Sequence, residues 1–241
     1  MTYTTFARVY DEIMDADLYD KWLDFTKRHT APAKTLELAS GSGKLAIKLA
    51  KEGYDVSALD LSNEMLVVAS GSADEAGVEI KFIEGDMLDL SEIETYDVVT
   101  CYSDSICYLS NFAETQLMLD EVYNVLNEGG VFLFDVHSTY QINEGFKDYS
   151  FHVQDEDYAF LWDSYPGDAP NSVEHELTFF IKEEDEKFAR YDELHEERTY
   201  SIDEYLMGLE TAGFHSVEVF ADFTDENPTE TSKRWFFKAI K

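Results

Sequence analysis

Basic residues are few. Eighteen Lys and Arg stand against 51 Asp and Glu, a formal net charge of −33. Lys and Arg supply most of the non-specific affinity of proteins for phosphate backbones, so this chain repels polyanions, and binding to nucleic acid or to an anionic membrane surface is not expected. The deficit is sharpest over residues 151–230, where 23 acids meet four bases, Lys182, Lys187, Arg190 and Arg198. Such a field attracts a cationic substrate or partner; it also keeps a heavily solvated surface soluble or salt-tolerant. Cysteine is nearly absent. Cys101 and Cys107 make neither a disulfide scaffold nor a four-ligand zinc site, and a cytoplasmic location is expected. The opening MTYTTFARVYDEIMD lacks a basic region followed by an apolar run, and no stretch approaches ~18 uninterrupted apolar residues, so neither secretion nor membrane spanning is expected. The six histidines include no H-E-x-x-H pair, so no metal site is expected. A G-x-S-x-G nucleophile elbow is missing too, which argues against an α/β-hydrolase.

Apolar residues make up 44% of the chain and aromatic ones 15%, enough for a substantial core. From residue 35 short apolar runs alternate with helix-like segments, the pattern of a parallel sheet with crossover helices. Thr35–Ala39 reads as a first strand, turned by Gly41-Ser42-Gly43 into a helix to about Glu52. Asp55–Leu59 is a second strand, followed by a helix capped by Ser62 and running to about Ala76. Glu79–Ile83, Tyr96–Tyr102 and Val131–Val136 read as the third to fifth strands, with a helix over Phe112–Leu126. Right-handed crossovers lay these down as a doubly wound Rossmann-like α/β sheet. After His137 the rhythm changes to aromatic and β-branched runs with period 2, joined by turns, which predicts a small antiparallel β insertion after the fifth strand. A capping box at Ser201 and Glu204 opens a further helix. Two last strands, about His215–Ala221 and Arg234–Ile240, can pair antiparallel. The expected division is 1–138 with 201–241 as the main domain, 1–30 forming a helical lid, and 139–200 as a β-rich cap on the substrate side.

The turn in LELASGSGKLA, residues 36–46, has two readings. Glycines between strand and helix let backbone approach a ligand, and the helix N-terminus presents free N–H groups. Gly41, Gly43 and Ala46 also fit the dinucleotide pattern, with Asp60 placed for a ribose hydroxyl, so an NAD-dependent oxidoreductase is an alternative. Three features point elsewhere. Glu37 sits inside an apolar strand, where a buried carboxyl needs a polar partner. Asp86 follows the third strand in a Gly-Asp-Met turn, placed to accept from a base amino group. The chain ends in a helix and two strands, not a second nucleotide-binding half.

In these segments, Glu37 to Gly43, Asp60, Gly85-Asp86-Met87, Asp97–Tyr102 and Asn124–Asp135, the sequence resembles the class I S-adenosylmethionine-dependent methyltransferases, of a small-molecule-type branch. One departure is Ala39, where members of that family usually have Gly. The resemblance implies a seven-stranded sheet with an antiparallel last strand, and it implies roles. Backbone at Ala39, Gly41 and Gly43 would meet the methionine part of the cofactor, with Glu37 orienting that loop or the amino group. Asp60 would take both ribose hydroxyls. Leu61 and Met65 would pack on the adenine, Asp86 would accept from its amine, and Met87 would supply a backbone donor. Cys101 would offer a carbonyl to the ammonium, and Tyr10 would close over the sulfonium.

Methyl transfer to a positioned nucleophile requires alignment and, for some acceptors, a proton acceptor. Asp104, after the fourth strand, and His137, after the fifth, are the candidates; His137 would be a general base. Arg190, Tyr191 and His195 are secondary candidates for contact with substrate. The expected partner is a small-molecule, neutral or cationic acceptor, with the protein a monomer or homodimer. A non-catalytic S-adenosylmethionine-binding protein is a further alternative.

Overall fold

The structure, a computed structural model, describes residues 16–183 and 186–241; Tyr10 lies outside the described residues. In chain order the first elements are α1 (Ala16–His29), β1 (Lys34–Leu38), α2 (Lys44–Lys51), β2 (Asp55–Asp60), α3 (Asn63–Ala76), β3 (Lys81–Glu84), β4 (Tyr96–Cys101), α4 (Phe112–Val125) and β5 (Leu126–His137). After the insertion come α5 (Ile202–Ala212), β10 (Ser216–Ala221) and β11 (Arg234–Ile240). The main sheet has the order β10-β11-β5-β4-β1-β2-β3. Strands β1 to β5 run parallel, and β11 lies antiparallel between β5 and β10.

Period-2 alternation in the central strands sends apolar side chains to both faces, which is why helices cover both. Phe132 and Phe134 of β5, with Phe237 of β11, pack under Met118, Val122, Tyr205 and Leu209 of α4 and α5. Leu133 and Phe236 point the other way, to Trp22 and Phe25 of α1 and Leu45 and Leu49 of α2. Helix α1 is therefore part of the core: Trp22 and Phe25 are buried. Ser62 caps α3 by accepting from the Met65 N–H at 3.2 Å. Reciprocal bonds between Ser201 and Glu204 open α5, and its end turns at Gly213 with φ 111°, where a Cβ would lie 2.8 Å from Tyr123 Cζ.

In the main sheet two strand starts differ from the sequence reading by two residues or more. Strand β3 begins at Lys81, two residues later than expected. Strand β5 begins at Leu126 and not at Val131, because Leu126 pairs with Tyr96 before the register shifts to Val98 with Val131; Asn127–Gly130 absorbs the shift as a bulge.

The insertion is a second sheet, an antiparallel meander of β6 (Ser150–Gln154), β7 (Tyr158–Pro166), β8 (Ser172–Lys182) and β9 (Phe188–Arg198). Along β8, alternate residues Val173, His175, Leu177, Phe179 and Ile181 are buried. Among the described residues no helix is long and apolar enough to cross a membrane.

Candidate active site

In an open α/β sheet the strands' carboxyl ends hold the ligand crevice. Here the turn after β1, the loop after β4 and the end of β5 converge on that edge. Because β11 is antiparallel, its first residue joins them: Arg234 pairs with His137 across the ladder. The second sheet closes over this edge and leaves a cavity of about 460 Å³. One wall carries Glu37, Ala39, Gly41 and Met65; the other carries Asp104, His137, His175, Glu197 and Arg234, beneath Tyr149, Phe151, Phe160 and Trp162 of the insertion.

On the first wall the chain turns through left-handed conformations at Ala39 (φ 52°), Gly41 and Gly43. Alanine adopts this region at a cost of roughly 1–2 kcal/mol. Asp60 holds the turn: its Oδ2 accepts from the Gly41 N–H at 2.7 Å and its Oδ1 from the Ser62 N–H at 2.9 Å. Glu37 is buried, and the Ala46 backbone N–H donates to its carboxyl. Burial, with Asp60 nearby, pushes that carboxyl up to about 8. Its Oε2 has no hydrogen-bond partner.

The second wall is built around Asp135, fully buried in β5, where an unpaired charge would be prohibitive. Trp22 Nε1–H donates to its Oδ2 at 2.9 Å and Arg234 Nη1 to the same oxygen at 2.5 Å, while the Asp104 backbone N–H donates to Oδ1 at 3.2 Å. Ser103 and Asp104 are held at φ 58° and 51°, a strained pair of the sort found at ligand sites. Arg234 Nη2 bonds Asp104 Oδ1, and Asp104 Oδ2 lies 3.3 Å from His137 Nε2. That nitrogen is 3.5 Å from Glu197 Oε2, and Glu197 Oε1 is 3.7 Å from His175 Nε2.

Charge follows geometry. Burial works against ionisation of Asp104, but Arg234 and His137 hold it well below the usual carboxylate range. Burial opposes the charge on His137 as well, yet Asp104 moves its pKa upward. Burial and the nearby Asp104 push Glu197 up to about 7, and burial brings His175 down to about 4.

The cavity thus brings together Glu37, Ala39, Gly41, Met65, Asp104 and His137 of the residues expected from sequence. Gly43, Asp60, Leu61, Asp86, Met87 and Cys101 do not line it. Asp60 is joined to it through Gly41; Leu61 is 67% exposed beside it. Asp86 lies on the surface with Oδ1 accepting from the Leu88 N–H. Met87 and Cys101 pack in the core. Of the secondary candidates His195 lines the cavity, Arg190 pairs with Asp192 on the surface, and Tyr191 packs inside the second sheet. Arg234, Asp135, Glu197, His175 and Trp22 were not anticipated. The signal for Arg234 was present: an aspartate inside the apolar VFLFDV run demands a cation from elsewhere in the chain.

The family described as "Methyltransferase domain" matches residues 35–130. Two relatives carry the name "Putative methyltransferase". One, from Geobacillus sp. (strain WCH70), is 42% identical over all of both chains. The other, YqeM of Bacillus subtilis (strain 168), is 39% identical over all of this chain and 98% of its own. The crystal structure of an S-adenosylmethionine-dependent methyltransferase from Clostridium acetobutylicum ATCC 824 superposes with a TM-score of 0.86 at 27% identity, covering 99% of this chain and 98% of that one. The chain belongs to the class I S-adenosylmethionine-dependent methyltransferases. Hydride transfer to NAD is not favoured.

The methyltransferase's first wall fits its cofactor. The unpartnered Glu37 Oε2 suits a cationic amino group, and among the described residues no atom beyond Gly41 and its chain neighbours lies within 4 Å of where a Gly41 side chain would begin. Asp60 keeps further lone pairs for ribose hydroxyls beyond its two backbone bonds.

Proposed function

We propose that this methyltransferase acts on a small-molecule acceptor enclosed between the two sheets, with His137 accepting the proton and Asp104 orienting it. One observation carries the reading: a single cavity is bounded by the cofactor turn on one wall and by the His137, Asp104 and Glu197 cluster on the other. A cavity of about 460 Å³ between the two sheets, shared with a cofactor, suits a small acceptor better than a folded macromolecule.

The cofactor supplies a methyl group activated on a sulfonium. The chain's residues bind and align. Backbone at Ala39, Gly41 and Gly43 seats the methionine part, Glu37 takes its amino group and Asp60 the ribose. Leu61 and Met65 flank the adenine, with Asp86 and the Met87 N–H at its edge and the Cys101 carbonyl toward the ammonium. Residues 139–200 cap the acceptor. With water excluded and both reactants held, positioning can supply much of the rate.

The test uses methyl-labelled cofactor with metabolite-sized and macromolecular fractions of a cell extract supplied separately. Label in the former supports the reading. Label confined to protein or nucleic acid overturns it.

A further inference from the structure

The proton count around His137 leaves one carboxylate oxygen unanswered. His137 Nε2 can carry a single hydrogen, yet two carboxylates face it: Asp104 Oδ2 at 3.3 Å and Glu197 Oε2 at 3.5 Å. Asp104 is the nearer and is aligned by Arg234. Arg234 directs its Nη2 and Nη1 to Asp104 and Asp135 and acts on Glu197 through its charge alone. His175 lies 3.7 Å from the other Glu197 oxygen, and burial keeps it neutral near pH 7. Tyr108 hydrogen-bonds the same carboxyl, but Oε2 has no hydrogen-bond partner although Glu197 is only 5% exposed. A buried carboxylate oxygen without a donor is costly, and it calls for one from the ligand.

Its surroundings specify which donor. Tyr149, Phe151, Phe160 and Trp162 present rings to the same cavity, and ring faces beside a carboxylate are the usual seat of an organic ammonium. Phe151, Phe160, Trp162 and Glu197 lie in residues 151–230, where acids outnumber bases 23 to four, so a cation is drawn toward this side.

We infer that the acceptor is an alkylamine, docked as its ammonium on Glu197 Oε2 under the aromatic wall of the second sheet. This rests on the reading of the cavity as the acceptor site. For this charged acceptor the proton goes not to His137, whose Nε2 hydrogen is directed at Asp104, but to the Glu197 carboxylate, whose affinity for it is raised by burial. The freed lone pair forms the new nitrogen–methyl bond while the methyl–sulfur bond breaks and its electron pair stays on sulfur, giving the thioether and a methylated ammonium. The proton on Glu197 then leaves to solvent as product departs.

The probe pair is cyclohexylamine and cyclohexanol, matched in shape and differing in charge. Each is titrated calorimetrically into protein saturated with S-adenosylhomocysteine, for the wild type and Glu197→Gln. The amine should bind at least tenfold more tightly than the alcohol, and Glu197→Gln should erase most of that preference while retaining S-adenosylhomocysteine affinity, which shows that the variant is folded. Equal binding of the two probes by the wild type, or a preference that survives in Glu197→Gln, overturns the inference. Should neither probe bind the loaded wild type, nor either compete in methyl transfer with the labelled metabolite fraction, the reading of the cavity fails instead.

Discussion

Arg234 and His137 are register partners across the β5 and β11 ladder and grip the same carboxylate, Arg234 at Asp104 Oδ1 and His137 at Asp104 Oδ2. A single aspartate therefore aligns the candidate base while itself being held by a guanidinium that also neutralises the buried Asp135.

Removing that guanidinium leaves two enclosed carboxylates without their cation. Arg234→Met should destabilise the fold by roughly 3–5 kcal/mol, measured by denaturant unfolding. Arg234→Lys should recover part of the loss, since it restores the charge but not the two-armed geometry. An unfolding midpoint unchanged in the Met variant would show that the pairing contributes nothing to stability.

His137→Gln keeps a polar side chain next to Asp104 but cannot accept the acceptor's proton. For a hydroxyl acceptor, whose proton would pass to His137, kcat should fall by about 10²–10⁴; an amine docked on Glu197 should lose far less. Affinity for S-adenosylhomocysteine should be unchanged, because His137 lies on the wall opposite the cofactor turn. Loss of cofactor binding alongside activity would assign His137 to the architecture and not to the chemistry.

Asp60→Ala removes the acceptor of the Gly41 and Ser62 N–H groups together with the expected ribose contact. Hydrogen bonds to a charged group contribute about 1.5–3 kcal/mol, so S-adenosylhomocysteine should bind roughly 10- to 150-fold more weakly. Calorimetric titration reads this directly, with NAD as the control ligand that gives no heat.

Glu37, with its carboxyl near 8, is largely protonated at pH 7 in the free protein. If an amino group of the cofactor ionises it, binding releases about one proton at pH 7, and affinity rises as pH approaches 8. Titrations in two buffers of different ionisation enthalpy measure that proton, and Glu37→Gln should abolish it. Because the folded value lies above the ordinary 4.5, the neutral form's contribution to stability is full below pH 4.5 and declines as pH rises through 8. The ligand-free Glu37→Gln variant should therefore gain stability relative to wild type at alkaline pH, seen as a higher Tm.

Much of the fold was legible because the main sheet's strands are short apolar runs with clear stops: Gly41 and Ser62 mark where backbone must turn. The start of β5 was not, since the extra residues of a bulge are set by pairing with Tyr96 and not by local preference. In the site, Glu37, Asp104 and His137 were legible from their places at strand ends. Glu197 and Arg234 were not, because each owes its position to pairing between segments far apart: Glu197 sits opposite Val173 in the second sheet, and Arg234 reaches the site only because β11 runs antiparallel. Alternation along β9 tells which residues share a face, but not what that face covers.

The ladder between β5 and β11 also orders events during synthesis. Arg234 lies 99 residues after Asp135, so Asp104 and Asp135 are both synthesised well before their counter-ion. Until the strand bearing Arg234 slots in beside β5, the burial of Asp135 is unfavourable and His137 has no aligned partner. The same insertion that completes the hydrophobic sheet thus supplies the counter-ion of the candidate site.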